Sequence, residues 1–175
     1  MAKATLEQLR SLPDFAELHR WDLTFASIPA DASGDFPVSD EINLRVKSST
    51  IPKSTNEKIE IRHKGHRVYQ NGISLPEGTI TLTFNETVDN TVKKLIKAWR
   101  EAVYDFKSGK AGKKADVTCT IILDQLDKED KPVWRYTLKG CFIEDYDLGE
   151  YNSEGGAASE PSLTISYDWF EDEAL

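Results

Sequence analysis

The stretch IRHKGHRVYQNG sets His63 and His66 three residues apart around Gly65, and the chain's only other histidine is His19. Imidazoles at close spacing invite a zinc site, which needs three or four converging ligands. In an extended segment an odd separation puts the two rings on opposite faces, unless Gly65 bends the chain. No third ligand follows at a recognisable spacing, so the stretch reads as strand, glycine bend, strand. Cys119 and Cys141 make neither a CxxC knuckle nor a disulfide framework. The serine-nucleophile elbow GxSxG, the phosphate loop GxxxxGK[ST], GxGxxG and HExxH are absent from the sequence. Thirty Asp and Glu residues are too many for an acid/base pair to be singled out. Trp99, Trp134 and Trp169 read as core, with the lining of a ligand cavity in a closed barrel as the alternative. The expectation is a protein with no catalytic site, no metal and no cofactor.

The surrounding elements follow from periodicity. Apolar and polar residues alternate with period two at Trp21, Leu23 and Phe25, at Ile42, Leu44 and Val46, at Ile59 and Ile61, and through TITLTF at Ile80, Leu82 and Phe84. The runs VTCTIIL, VWRYTLKGCFI and SLTISYDWF continue the pattern, the last with Leu163, Ile165, Tyr167 and Trp169 on one face. This is the signature of half-buried strands, seven or eight in all. One segment breaks it. Val88, Val92, Leu95, Ile96, Trp99, Val103 and Phe106 follow helical spacing, predicting an amphipathic helix over 87–107 with Thr87 as N-cap. The fold class is mainly β, a sandwich or half-barrel with one flanking helix.

A turn centred near residue 130, in DKEDK, places Cys119 opposite Cys141 as cross-strand neighbours, unless Gly140 forms a bulge that shifts the register. Three segments look too long for simple hairpin loops: 29–41, 47–58 and 147–161, each either a binding element or a disordered stretch.

The 175 residues, 39% hydrophobic and 30% charged, suit one domain over 1–175, with an N-terminal arm at 1–17 and a flexible loop at 147–161. The first residues lack the layout of a secretory signal and no run is long enough to span a bilayer, so we expect a protein made in a cytoplasm, with no membrane anchor. Net charge is −8, and it is polarised: Glu144 to Leu175 holds ten acids and no Lys or Arg, whereas Lys93 to Lys114 holds eight bases against Glu101 and Asp105. Both segments can be solvated surface, or an acidic patch can meet a basic one on a neighbouring copy or partner. A net-acidic chain is poorly suited to gripping nucleic acid.

The order IPKSTNEKIEIRHKGHRVYQNG, then GTITLTFNETVDNTVKKLIKAWREAVYDF, resembles the tail tube proteins of contractile-tailed bacteriophages, the T4-like tube family, related in fold to the Hcp ring protein of type VI secretion. The positions that carry the resemblance are Gly65, His66, Val68, Tyr69 and Gln70, then Glu86, Thr87, Val88, Asp89 and Asn90. It covers residues 18–107 well and the remainder by strand order only. YQNG stands where the family pattern has Tyr-Gln-Pro-Gly, a departure that affects turn stiffness.

The resemblance implies hexameric rings whose inner sheets join into one continuous barrel and which stack into a hollow tube. It also implies a surrounding tail sheath protein, baseplate and tail-terminator proteins, and double-stranded DNA passing through the lumen of a virion tail without specific binding. The alternatives are an Hcp-like tube of a secretion or extracellular injection system carrying protein effectors and, more distantly, a monomeric ligand-binding β-barrel. Six copies at −8 make about −48 per ring, a wall that repels DNA and keeps it centred. On this reading Ser48, Ser49, Thr50, Ile51, Pro52 and Lys53 are candidates for inter-ring contact. Lys93, Lys97 and Arg100 are candidates for a sheath-facing helix surface. Two polar faces compete for the lumen, Lys58/Glu60/Arg62 and Thr79/Thr81/Thr83.

Overall fold

Alternation builds one dominant sheet. In a computed structural model, which describes residues 5–11, 13, 15–26, 39–153 and 156–175, β1 (Trp21–Phe25), β2 (Val46–Ser49), β5 (Thr79–Phe84), β8 (Cys119–Leu126), β9 (Pro132–Asp147), β10 (Ser162–Ser166) and β11 (Trp169–Ala174) form a seven-stranded sheet. Its order is β1-β8-β9-β10-β5-β2, with β11 also beside β9, and every pairing is antiparallel. Two small hairpins stand apart from it, β3 (Ser54–His63) with β4 (His66–Pro76), and β6 (Tyr104–Asp105) with β7 (Lys110–Ala111). The described residues also hold four helices, α1 (Leu6–Arg10), α2 (Ser39–Asn43), α3 (Thr91–Val103) and α4 (Lys114–Val117). The mainly β class with one longer helix is as the periodicity predicts.

The core lies between the inner face of the sheet and α3. Leu23, Phe25, Ile80, Leu82, Phe84, Ile121, Leu138, Leu163 and Ile165 meet Val92, Leu95, Ile96 and Trp99 of the helix. Trp99 is fully buried, packs edge-on against Phe25 at 6.1 Å and donates its indole N–H to the Val117 carbonyl at 2.9 Å. The side chain therefore buries its large apolar surface without orphaning its one donor.

The helix is shorter than 87–107. Asn90 takes a left-handed conformation, φ 54° and ψ 41°, and the first turn is capped by Glu86, whose carboxylate accepts the amides of Val92 (3.3 Å) and Lys93 (2.9 Å). Thr87, the expected cap, instead interacts with Arg45. Val88 and Phe106 fall outside the helix and are exposed, 96% and 74%. An acid held at the N-terminus satisfies amides that the helix cannot and complements its dipole.

Four other expectations change. Ile42, Leu44 and Val46 do not share a strand: α2 ends at Asn43, Ile42 is buried, Leu44 is 89% exposed, and β2 starts at Val46. An Arg45–Glu41 pair at 2.9 Å and the Asn43 side chain, which accepts the Leu23 amide at 3.1 Å, hold this turn against β1. The loop expected at 47–58 shrinks to Thr50–Lys53, because β2 runs to Ser49 and β3 begins at Ser54. SLTISYDWF is broken: β10 and β11 both run antiparallel along β9 but are interrupted at Tyr167–Asp168, and Trp169 is exposed while Leu163, Ile165 and Tyr167 are buried. Ile59 and Ile61, read as half-buried, are exposed, for reasons given below.

Of the segment 29–41, residues 29–38 lie outside the described residues, and 39–41 open α2. After Asp147 ends β9, the described residues to 161 carry no helix or strand. Within 1–17 the described residues include α1, opened by a capping box in which Thr5 and Gln8 bond each other's amides.

The break in β10/β11 faces Gly140, where φ is +69° and an added Cβ would sit 2.3 Å from Asp168 Oδ2. Asp168 in turn donates its amide to the Lys139 carbonyl at 3.0 Å and pairs with Lys114 at 2.6 Å. Here β9 turns a corner, with β11 pairing its residues 134–139 and β10 its residues 142–147. The bend carries the sheet far enough round that both end strands, β1 and β2, line the same clefts.

Candidate assembly surfaces

The outer face of β5 is the first surface. Its side chains alternate, so Ile80, Leu82 and Phe84 point into the core and Thr79, Thr81 and Thr83 point away. Register extends the hydroxyls sideways: Thr83 lies between Ser162 and Ser48, Thr81 beside Thr164, and Thr79 beside Ser166. Across β10 the rows continue to Asp147 at Ser162 and Asp145 at Thr164. The result is a hydroxyl carpet bordered by carboxylates, and none of these positions carries a positive charge. The three threonines are legible in TITLTF; Ser162, Thr164 and Ser166 stand in SLTIS and Ser48 in VKSS, but their adjacency needs the strand order.

The second surface is the β3–β4 hairpin. His63-Lys64-Gly65-His66 forms its tip, with φ of 45° at Lys64 and 84° at Gly65, the two positive values of a two-residue hairpin turn. His63 and His66 are thus direct cross-strand partners on one side. Gly65 does bend the chain, as the sequence allowed. Among the described residues no three His, Cys, Asp or Glu side chains gather as a metal site requires, and His19, at the surface, lies 3.5 Å from Glu17 instead.

The hairpin's ten and eleven residues reach about 33 Å, and all of them are exposed except the half-buried Gly72. One side carries Lys58, Glu60 and Arg62 with Arg67, Tyr69 and Asn71 opposite. Lys58 and Arg67 lie over the Tyr69 ring at 4.9 and 5.3 Å, and Arg62 pairs with Glu60. The other side carries Ile59, Ile61 and Val68, with Ile73 and Leu75 toward the root, all exposed. Sequence alternation signalled an apolar face, but not its burial: among the described residues nothing covers it. A two-stranded ribbon alone is marginal in water, and a contiguous exposed apolar strip marks an interaction surface.

The root of the hairpin brings together the candidates at 48–53. Ser48 and Ser49 lie on β2, at the end of the sheet, and Thr50 is tied to Thr81 by two bonds, Thr50 N–H to the Thr81 carbonyl (3.1 Å) and Thr81 N–H to Thr50 Oγ1 (2.9 Å). Pro52 is buried, Ile51 exposed, and Lys53 pairs loosely with Glu77 at 3.7 Å. Ile51 also borders an apolar cleft of about 220 Å³ between the end strands, with Leu18, Trp21, Leu123 and Tyr136.

The third surface is the outer side of α3. Lys94 and Lys97 are exposed, but Lys93 and Arg100 are half-buried. Lys93 lies 5.2 Å from the centre of the Tyr151 ring, and Arg100 donates to the Tyr146 hydroxyl at 2.7 Å while lying over the Tyr146 and Phe106 rings at 5.4 and 6.0 Å. Of the three candidate sheath-facing residues, Lys97 alone presents its charge fully to solvent. Helical spacing placed these residues off the apolar stripe; it could not show which aromatic rings would cover them.

No family model and no curated protein matches the sequence. Solved structures do. A chain of the cryo-EM structure of the anti-feeding prophage tube-terminating cap aligns with a TM-score of 0.69 at 11% identity, over 94% of this chain and 95% of that one. This chain has the fold of that chain. A chain of the sheath/tube terminator of an extracellular contractile injection system in its extended state gives 0.67 at 12% identity, over 94% of this chain and 100% of that one. A chain of the extended sheath-tube complex of such a system gives 0.65 at 12% identity, over 99% and 100%.

Proposed function

We propose that this protein is a structural tube subunit of a contractile injection machine, with no catalytic role, whose copies form rings that stack into a hollow conduit inside a sheath. The observation that carries the reading is the β3–β4 hairpin, a long ribbon whose apolar side is exposed and has no partner among the described residues. A second copy is the occupant we assign to it. The end-strand cleft lined by Leu18, Trp21, Ile51 and Tyr136 offers matching apolar lining, and the end strands themselves are left to pair or be covered by assembly.

The likeness to chains of the anti-feeding prophage cap and of an extracellular contractile injection system favours a tube that carries protein effectors over the virion tail tube of a contractile phage. The phage tube, with double-stranded DNA in the lumen, is the second reading, and the same hydroxyl and carboxylate face suits it. In either case Thr79, Thr81 and Thr83 line the lumen, because they lie on the sheet face opposite α3, whereas Lys58, Glu60 and Arg62 sit on the projecting hairpin. Residues 48–53 contact the adjoining ring. Lys97, flanked by Lys93 and Arg100, faces the sheath, and baseplate and terminator proteins close the two ends.

Negative-stain electron microscopy of the purified protein over a range of concentrations tests this. Rings or hollow tubes are expected. A uniform monomer at every concentration, in the presence of a sheath and baseplate as well as alone, would sink the proposal and return the ligand-binding barrel to the front. The nature of the lumen content of native particles, protein or DNA, separates the two tube readings.

A further inference from the structure

Cys119 and Cys141 are direct register partners on β8 and β9, both are free thiols, and both are buried in the core. They are the chain's only cysteines, so any bond within one chain has a single possible connectivity. The Thr120 carbonyl accepts the Ala26 amide at 2.9 Å, which turns the Thr120 peptide groups toward β1 and leaves those of Cys119 directed at β9. Such a pair belongs to the hydrogen-bonded class, with Cα atoms about 5.5 Å apart, inside the span of a disulfide. Its side chains stand further apart than in the alternative class, so a bond there is strained and correspondingly easy to reduce. A register shift follows immediately, between Cys119 and Ile121, and Gly140 at the β9 corner adjoins Cys141.

We propose that Cys119 and Cys141 form a latent, reversible disulfide site, a dithiol in a reducing compartment that closes on a small-molecule disulfide once the protein is in an oxidising one. One thiolate attacks the oxidant RSSR and expels RS⁻. The second thiolate attacks the resulting mixed disulfide and expels the other RS⁻. Two RSH and one Cys119–Cys141 bond result, so the two electrons and both thiol hydrogens pass to the oxidant. Contact with Cys141 and burial hold the Cys119 thiol far above its ordinary pKa. Closure therefore waits on transient opening of β8 from β9, next to the register shift, and is slow in the intact fold. Once closed, the bond fastens the two strands beside the sheet's corner and restricts the unfolded chain.

The test is incubation of the intact protein with oxidised glutathione across a series of urea concentrations up to the unfolding midpoint, read by mass spectrometry. The expected product is lighter by two hydrogens, carries a Cys119–Cys141 linked peptide, reopens in excess reduced glutathione, and unfolds at higher urea than the dithiol. Cys141→Ala is expected to yield the glutathione adduct at Cys119 instead, and Cys119→Ala the adduct at Cys141. Wild-type protein that accumulates glutathione adducts without closing, or stays a dithiol even where half the molecules are unfolded, overturns the proposal. A closed form that resists excess reduced glutathione overturns its reversibility, and a lowered urea midpoint overturns the fastening role.

Discussion

Strand β5 and the β3–β4 hairpin carry the same sequence code and meet opposite fates. Ile80, Leu82 and Phe84 alternate with threonines and are buried under α3; Ile59 and Ile61 alternate with Lys58, Glu60 and Arg62 and stay in water. Period-two alternation specifies that a strand has an apolar side. It does not specify whose core that side enters. β5 finds its partner within the chain and contributes to folding; among the described residues the hairpin's apolar side has none, and on our reading it contributes to assembly.

The most direct way to break this contrast is to charge each apolar face in turn. Ile61→Lys should abolish rings and tubes in electron micrographs while shifting monomer stability by no more than about 0.5 kcal/mol, as for other exposed sites. If the monomer unfolds instead, the hairpin belongs to the fold and the contrast fails. Trp99→Ala should do the reverse, lowering the unfolding free energy by about 3–5 kcal/mol in urea titrations, since the indole is fully buried and bonded to Val117.

Smaller effects sharpen the boundary between body and surface. Gly140→Ala combines a positive φ with a close approach to Asp168 and should destabilise by about 1–3 kcal/mol, whereas Gly156→Ala, which meets no atom within 4 Å, should be near neutral in the same titration. Glu86→Ala removes the acceptor for the first turn of α3 and should cost about 1 kcal/mol. The least effect is at the β8–β9 turn. There the amides of Lys131 and Glu129 donate to the Asp127 carboxylate and hold its pKa below the ordinary 3.8. A depressed carboxylate stabilises the fold above its unfolded pKa and loses that contribution as pH falls through the folded value. Asp127→Asn should therefore lower the urea midpoint slightly at neutral pH and flatten its acid-side slope below about pH 4.

What was legible in the sequence tracks what is local. The strands, the helix stripe from Val92 to Trp99 and the glycine bend at Gly65 all rest on spacings within a few residues, whereas Cys119 meets Cys141 only because the register shifts by one beside Gly140. The misreadings arise where a distant group decides. Glu86 displaced Thr87 as cap, Asn43 tied its turn to β1 instead of extending a strand, and Asp168 opposite Gly140 split SLTISYDWF in two. The hydroxyl carpet was half legible, because Thr79, Thr81 and Thr83 announce themselves in one strand, but Ser162, Thr164 and Asp145 join them only through strand order.

The hairpin tip also gives the molecule a readout of its own state. Lys58, Arg62, Lys64 and Arg67 lie within ten consecutive residues of an exposed ribbon joined by a turn of Lys64 and Gly65. A trypsin-like protease should nick a free subunit there first, since exposed ribbons held by few tertiary contacts open most readily. On our reading, a subunit seated against its neighbours hides those bonds. Fragment yield under limiting digestion thus counts unassembled copies directly, and a single nick disarms a subunit for assembly while leaving its core intact.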